Sequence, residues 1–289
     1  MTAWNKASGQ RGPRGTAGFT LVELLVVTAI LSLLVSILLP SLARAKALAR
    51  SAVCQMNLRR LAGAGLAYLG DNREVFPPVR MSFNEDGTVY VNRYGRSKPR
   101  WQWFFDEGVG PAIDPTPYAL PFGDAQTTVM TNERFLCPSL DGPFARDIRN
   151  GAYGYNYQYL GDSRDVVSGR YTNFPVRESR VETPARTVFL GDSRGGDPSH
   201  GMHSYTLDPP KLATSAGVSK FGPTAGKDGP IGHSPVEARH LDNGGVAFVD
   251  GHVEAQPVER LGYQLGSDGV ILPGAGSNRL WTGTDTDEP

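Results

Sequence analysis

Residues Phe19–Leu39 read FTLVELLVVTAILSLLVSILL, an apolar run whose only charge is Glu23. As a helix rising 1.5 Å per residue this run is about 32 Å long, enough to cross the hydrocarbon core of a bilayer. A secretory signal would have a shorter apolar part closed by a small-x-small cleavage site. Here the run continues into Pro40 and then Ser41-Leu42-Ala43-Arg44 without such a site. A plain signal anchor explains the length but not an acid near its start, because an intramembrane carboxylate costs roughly 2.5–3.5 kcal/mol on insertion scales. Glu23 therefore needs a partner or a task.

Working outward, residues 1–18 are polar and Gly-rich, with Lys6, Arg11 and Arg14 and no acid. The whole chain has 29 basic and 29 acidic side chains, so without this leader 26 basic face 29 acidic, about −3. No basic surplus points to nucleic acid. On the other side, Pro40 removes a backbone donor and is expected to kink or break the helix. Arg44, Lys46 and Arg50 follow and are expected at the lipid headgroups on the cytoplasmic side, with the leader inside. Cys54, Leu58, Leu61, Gly65 and Tyr68 then share one helical face, expected to pack on a C-terminal domain while Arg59 and Arg60 face water. Gly70-Asp71-Asn72 ends the pattern.

With these residues in place, Gly18-Phe19-Thr20-Leu21-Val22-Glu23 resembles the prepilin signature, a basic leader ending in Gly, then Phe, then Glu as the fifth residue of an apolar helix. The resemblance implies a type IV pilin or type II secretion pseudopilin precursor, cut between Gly18 and Phe19 by a prepilin peptidase that also N-methylates Phe19. It further implies that Glu23 pairs with the Phe19 amine of a neighbouring subunit in a filament. A narrower resemblance is to a prepilin-like family with a C-terminal His-x9-Asp-Gly motif, carried by His240 and Asp250-Gly251. It is accompanied by Cys54-Gln55-Met56-Asn57, Phe76-Pro77-Pro78, Phe135-Leu136-Cys137-Pro138-Ser139, Tyr153-Gly154-Tyr155-Asn156 and Val188–Ser193. The Gly/Pro/His-containing loop at 194–235 departs from that pattern, and Pro198–His233 within it reads as an insertion loop.

The remainder, with 35 Gly and 22 Pro in the chain, reads as loop-rich with short strands. Candidates are Thr88–Asn92, Arg100–Phe105 (strand or short helix), Tyr153–Leu160, Arg186–Leu190, Val246–Val249 and His252–Val258, the last two joined at Asp250-Gly251. The expected fold is α+β: a long N-terminal helix, transmembrane over 19–39 and amphipathic over 41–69, and a C-terminal antiparallel sheet domain over 70–281. A disordered tail is expected over 282–289.

His240, Asp250, Gly251 and His252 are read first as structural, with His240 bonded to a turn carbonyl and Asp250 capping the turn. Metal ligation by His240, Asp250 and His252 is the alternative. His200 and His203 are read as solvated. The two cysteines, Cys54 and Cys137, allow one disulfide, which an extracytoplasmic domain permits. No phosphate loop, nucleophile elbow or catalytic carboxylate pair is present, and no cofactor is expected. The expectation is a structural subunit in the inner membrane, with its globular domain extracytoplasmic and the processing peptidase and other pilin-like subunits as partners, rather than an enzyme. A membrane-tethered binding module, with Trp101, Trp103, Phe104 and Phe105 lining a groove, is the rival.

Overall fold

A computed structural model describes residues 19–84, 86–123, 126, 129–140, 146–148, 151–164, 171–173, 176–193, 205–211 and 234–288, with short backbone segments at 213–214, 217–218, 225–226 and 229–230. The leader 1–18, with Gly18, and the histidines His200 and His203 lie outside the described residues. Residues 1–46 and 47–289 form two units, each with its own packing.

The first unit holds the start of helix α1, Leu21–Asp71. Every described residue from Phe19 to Lys46 is exposed, and Leu21 is 78% exposed. The few hydroxyls in the apolar run are tied to its own backbone: Thr28 Oγ1 donates to Leu25 O, Ser32 Oγ to Thr28 O and Ser36 Oγ to Leu33 O. That arrangement makes polar side chains tolerable in lipid, where no water can satisfy them. The helix continues through Pro40, so of the two expectations there, kink or break, the break does not occur. Neighbouring turns hold the helix around the donor that Pro40 lacks, with Ser41 Oγ bonded to Leu38 O.

In the second unit, α1 buries Cys54, Leu58, Leu61 and Gly65 as the periodicity predicts, while Arg59 and Arg60 are exposed and Tyr68 is half-buried. That face meets an antiparallel sheet in the order Tyr153–Tyr155, Val188–Asp192, Gly244–Phe248 and Val253–Gln256. Side chains alternate between the faces of a strand. Ala247 joins the core on the α1 side, whereas Val246 and Phe248 point the other way to Leu261, Tyr263 and Trp281. The two central strands are therefore buried throughout. Gly65 is the point of closest approach: a Cβ there would lie 2.5 Å from Phe189 Cζ and 2.9 Å from Phe105 Cζ.

The last hairpin forms as expected, but its loop is Val249-Asp250-Gly251, one residue longer than a two-residue turn. Phe248 and His252 close it, and Gly251 takes φ +88°. This is the three-residue geometry in which the final residue must adopt the left-handed region.

Several expected features differ. Thr88–Asn92 is not a strand, since only isolated bridges form at Val89 and Val91, both half-exposed with no second layer over them. Arg100–Phe105 is a single 3-10 turn at Trp101–Trp103, followed by a short helix at Asp106–Val109. Tyr153–Leu160 divides into a strand and a one-turn helix at Tyr157–Leu160. Within the stretch taken as an insertion loop, Tyr205–Asp208 is buried, and Tyr155 N–H donates to Tyr205 O while Leu207 N–H donates to Tyr155 O. Those bonds satisfy the outer edge of the sheet, the role an edge strand demands of whatever covers it. The tail is likewise held rather than disordered over 282–288. Gly283 O accepts from Glu182 and Thr183, Asp287 pairs with Lys211, and Glu288 O accepts from Tyr159 Oη.

Candidate functional site

Two places concentrate chemistry, one at the start of α1 and one where α1 meets the sheet. At the first, Phe19 is 70% exposed. Thr20 N–H and Oγ1–H both donate to Glu23 Oε2, at 2.8 and 2.7 Å, and Glu23 N–H donates to Thr20 Oγ1 at 3.2 Å. This is a reciprocal capping box, Thr-x-x-Glu, which satisfies otherwise orphaned donors of the first helical turn. The carboxylate thus starts the helix as well as carrying the single charge of the apolar run. The Thr20-Leu21-Val22-Glu23 spacing carried that signal, and reading Glu23 only for its charge passes over it.

The second place is built from segments far apart in sequence. Cys54 and Asn57 stand one turn apart on the buried face of α1. Asn57 Nδ2 donates to Leu136 O at 2.9 Å, which pulls the 135–139 segment onto the helix. Cys54 and Cys137 are joined there in a disulfide with a Cα–Cα distance of 5.4 Å, inside the range such a bond requires. Tyr153 Oη reaches the same Leu136 carbonyl from the sheet. Asn156, at the end of the Tyr153-Gly154-Tyr155-Asn156 stretch, donates to Val188 O at 2.8 Å and Trp281 O at 3.1 Å, locking the strands to the C-terminal layer.

His240 completes this centre. It opens a turn in which Leu241 and Asp242 both have positive φ, 52° and 64°, closed by reciprocal backbone bonds between His240 and Asn243. Two successive left-handed residues make a type I′ turn, costly for a non-glycine pair and therefore held by its surroundings. The turn places the imidazole in the interior. Nε2 lies 3.5 Å from Cys137 Sγ and 3.3 Å from Asp192 Oδ2, and Nδ1 lies 3.5 Å from Ser139 Oγ. Asp192 is fully buried. Its Oδ2 accepts from Gly245 N–H at 2.7 Å, and its Oδ1 has no hydrogen-bond partner among the described residues. Gly245 is required at that contact, because a Cβ would sit 2.9 Å from the carboxylate oxygen and 3.0 Å from Leu58 Cδ1.

The expected grouping of His240 with Asp250 and His252 is not what the structure brings together. His240 is buried with Cys54, Cys137 and Asp192, whereas Asp250 and His252 are a surface pair, Oδ1 to Nδ1 2.5 Å. Asp250 Oδ1 also accepts from His252 N–H, capping the hairpin turn, and the His252 ring stacks on Phe248. Asp192 is the last residue of a central strand. The aromatic quartet is divided: Trp103 and Phe104 border an open recess with Tyr68 and Tyr90, whereas Trp101 and Phe105 lie in the core. Trp101, Trp103 and Phe105 are buried, with Trp101 Nε1 bonded to Tyr205 O, and Phe104 is partly covered by Tyr68 and Tyr90.

A long, apolar, exposed N-terminal helix continuing into an antiparallel α+β domain is the architecture of a pilin-like protein. Among the described residues α1 is the one helix long and apolar enough to cross a membrane. Residues 13–39 match the family described as the prokaryotic N-terminal methylation motif, so the chain carries a prepilin-type N-terminus with a membrane-anchoring helix. No curated protein and no solved structure matches the chain.

Proposed function

We propose that this chain is the precursor of a filament subunit, a pilin or pseudopilin of a type IV pilus or type II secretion-like assembly, and that its role is structural rather than enzymatic. The observation that carries the reading is the apolar start of α1, exposed from Phe19 to Lys46 with no apolar partner among the described residues and coincident with the methylation motif. Such a surface needs lipid or other apolar helices, and a filament core supplies the second after the bilayer has supplied the first. The peptidase cuts between Gly18 and Phe19, and the new Phe19 amine is methylated. Glu23 then pairs with the Phe19 amine of the next subunit, which removes the penalty of an unpaired carboxylate in a low-dielectric core. The leader stays in the cytoplasm and the globular domain lies outside it, anchored to the inner membrane. One crossing puts the two ends of the span on opposite sides, so Arg44, Lys46 and Arg50 belong with the outer headgroups, not on the cytoplasmic face first expected.

Co-expression of the full precursor with a prepilin peptidase tests this by intact mass. The expected product begins at methylated Phe19, Gly18→Arg keeps the leader, and Glu23→Val is processed but does not enter filaments. An uncut wild-type chain, or filaments that form normally with Glu23→Val, would overturn the corresponding half of the reading.

A further inference from the structure

Cys54, Cys137, Asp192 and His240 each offer one ligand atom, all four are buried, and the four atoms lie within 4.8 Å of one another. We propose that, in the reduced chain, these side chains bind one thiophilic divalent cation of the zinc type, and that the disulfide and the metal are alternative occupants of the same centre.

The argument is first geometric. Zinc binds thiolate at about 2.3 Å and imidazole or carboxylate at about 2.0–2.2 Å. Set tetrahedrally, those bonds place ligand atoms about 3.4 Å apart for nitrogen and oxygen, and about 3.6 Å apart for sulfur and nitrogen. The observed separations are 3.3 Å from His240 Nε2 to Asp192 Oδ2 and 3.5 Å from His240 Nε2 to Cys137 Sγ. Two edges of the tetrahedron therefore already have coordination lengths. The one large change needed is between the sulfurs, which must move from bonded to about 3.8 Å apart. Rotation of the Cys54 and Cys137 side chains supplies it.

The second argument is electrostatic. A buried carboxylate normally has its oxygens hydrogen-bonded and its charge offset, because burial strips the charged form of its water. Asp192 has one oxygen bonded to Gly245 N–H and the other without a partner, in a fully buried position. A cation held at Oδ2 offsets the charge of this buried carboxylate. Ser139 Oγ, 3.5 Å from His240 Nδ1, stands where the outer nitrogen of a metal-bound imidazole finds the partner that fixes its orientation. Cys137 also borders an open surface recess with Val53, Asn57, Glu133, Leu136 and Arg146, which brings one of the four ligands next to solvent.

The chemistry balances without further parts. A thiol or phosphine reductant gives two electrons to the S–S bond, and two protons complete two thiols. The cation then displaces both protons as the thiolates coordinate it, with His240 neutral and Asp192 ionised. In reverse, a disulfide-exchanging oxidant accepts two electrons from the thiolates, the S–S bond forms and the ion leaves.

The test uses the full chain in detergent, reduced by a phosphine under anaerobic conditions and titrated with Co²⁺ as a spectroscopic probe, with Zn²⁺ counted by elemental analysis. Expected is uptake of one ion per chain, with thiolate-to-cobalt charge transfer and tetrahedral d–d bands, and no uptake by the unreduced chain. His240→Gln and Asp192→Asn should each weaken binding at least about tenfold, by analogy with the loss seen when even outer ligands are removed. A reduced, folded chain that takes up no Co²⁺, or one whose uptake is indifferent to both substitutions, refutes the site. Should reduction unfold the domain, Zn²⁺ must restore its near-ultraviolet circular dichroism, and failure to do so refutes it equally.

Discussion

Two glycines of α1, one half-turn apart, should respond to the same substitution with opposite signs. Gly63 is exposed, and a Cβ built on it meets nothing within 4 Å; Gly65 is buried, and its Cβ would meet Phe189 and Phe105. Replacing glycine by alanine inside a helix gains about 0.8–1.0 kcal/mol of propensity at either site. At Gly63 nothing opposes the gain, so Gly63→Ala should stabilise by about that amount. At Gly65 the methyl must displace two rings that cannot easily move. Phe189 packs edge-on to Phe76 and Tyr155 at centroid distances of 5.7 and 5.8 Å, and Phe105 packs on Trp101 at 5.1 Å. Inserting a methyl into a closed core costs typically about 1–3 kcal/mol, and a backbone site without rotamer freedom belongs at the upper end. Net destabilisation of about 1–2 kcal/mol is expected for Gly65→Ala, and a gap of about 2–3 kcal/mol between the two variants. Denaturant unfolding of the detergent-solubilised chain, followed by the fluorescence of buried Trp101, Trp103 and Trp281, measures both. If Gly65→Ala proves as stable as the parent, the close packing of α1 on the sheet is wrong.

Other outcomes follow from the same packing. The Cys54–Cys137 bond spans 83 residues, so replacing both cysteines by alanine should lower stability in non-reducing buffer by about 4–5 kcal/mol on the chain-entropy account; equilibrium unfolding with and without reductant measures it. Trp281 is fully buried against Tyr263 with its Nε1 bonded to Leu261 O, and Trp281→Ala should lose about 3–5 kcal/mol, with the midpoint of chemical unfolding as the readout. Burial pushes the Tyr68 hydroxyl up to about 12, with Tyr90 adding to it. A raised value means the folded state holds its proton longer than the unfolded chain, so the stability it brings is intact at neutral pH and falls as pH rises from about 10 to about 12. Tyr68→Phe should flatten that part of an alkaline unfolding profile.

The sequence was informative wherever a local period or a short motif does the work. The stripe Cys54, Leu58, Leu61 and Gly65 is a helical period and found its face. The apolar runs ending at Leu190 and Val249 are short and buried on both sides, as central strands of a covered sheet are. Alternation misled at Thr88–Asn92, because a strand also needs a neighbour to pair with and a layer to cover it, and neither is encoded locally. The type I′ turn at Leu241-Asp242 was invisible for a related reason. Leu241 is a poor choice for positive φ, and the Asn243-Gly244 pair beside it, which propensity would favour, instead leads into a strand. The buried centre was half legible. Both cysteines and His240 drew attention as types, but Asp192 reads as an ordinary strand end, and only the pairing of Val188–Asp192 with Gly244–Phe248 brings it beside His240.

That pairing gives the centre a mechanical meaning within the proposed subunit. A filament subunit is handled through its N-terminal helix, so force on α1 must pass into the sheet domain through contacts beyond Lys46. The apolar ones, such as Leu58 and Leu61, are non-directional and yield gradually under shear. Cys54 and Asn57 differ, because each fixes one point of the helix to the 133–137 segment, the first through a covalent bond and the second through hydrogen bonds to Glu133 O and Leu136 O. Asp192 and His240 extend the same junction into a central strand and into the turn that leads to its neighbour. A covalent bond and a coordinated cation would both hold α1 there, whereas the reduced, metal-free chain would rely on Asn57 and apolar contact alone. The residues that clamp the helix are thus the same ones whose occupancy responds to oxidant and metal, and the strength of the junction follows the chemistry of the compartment in which the domain resides.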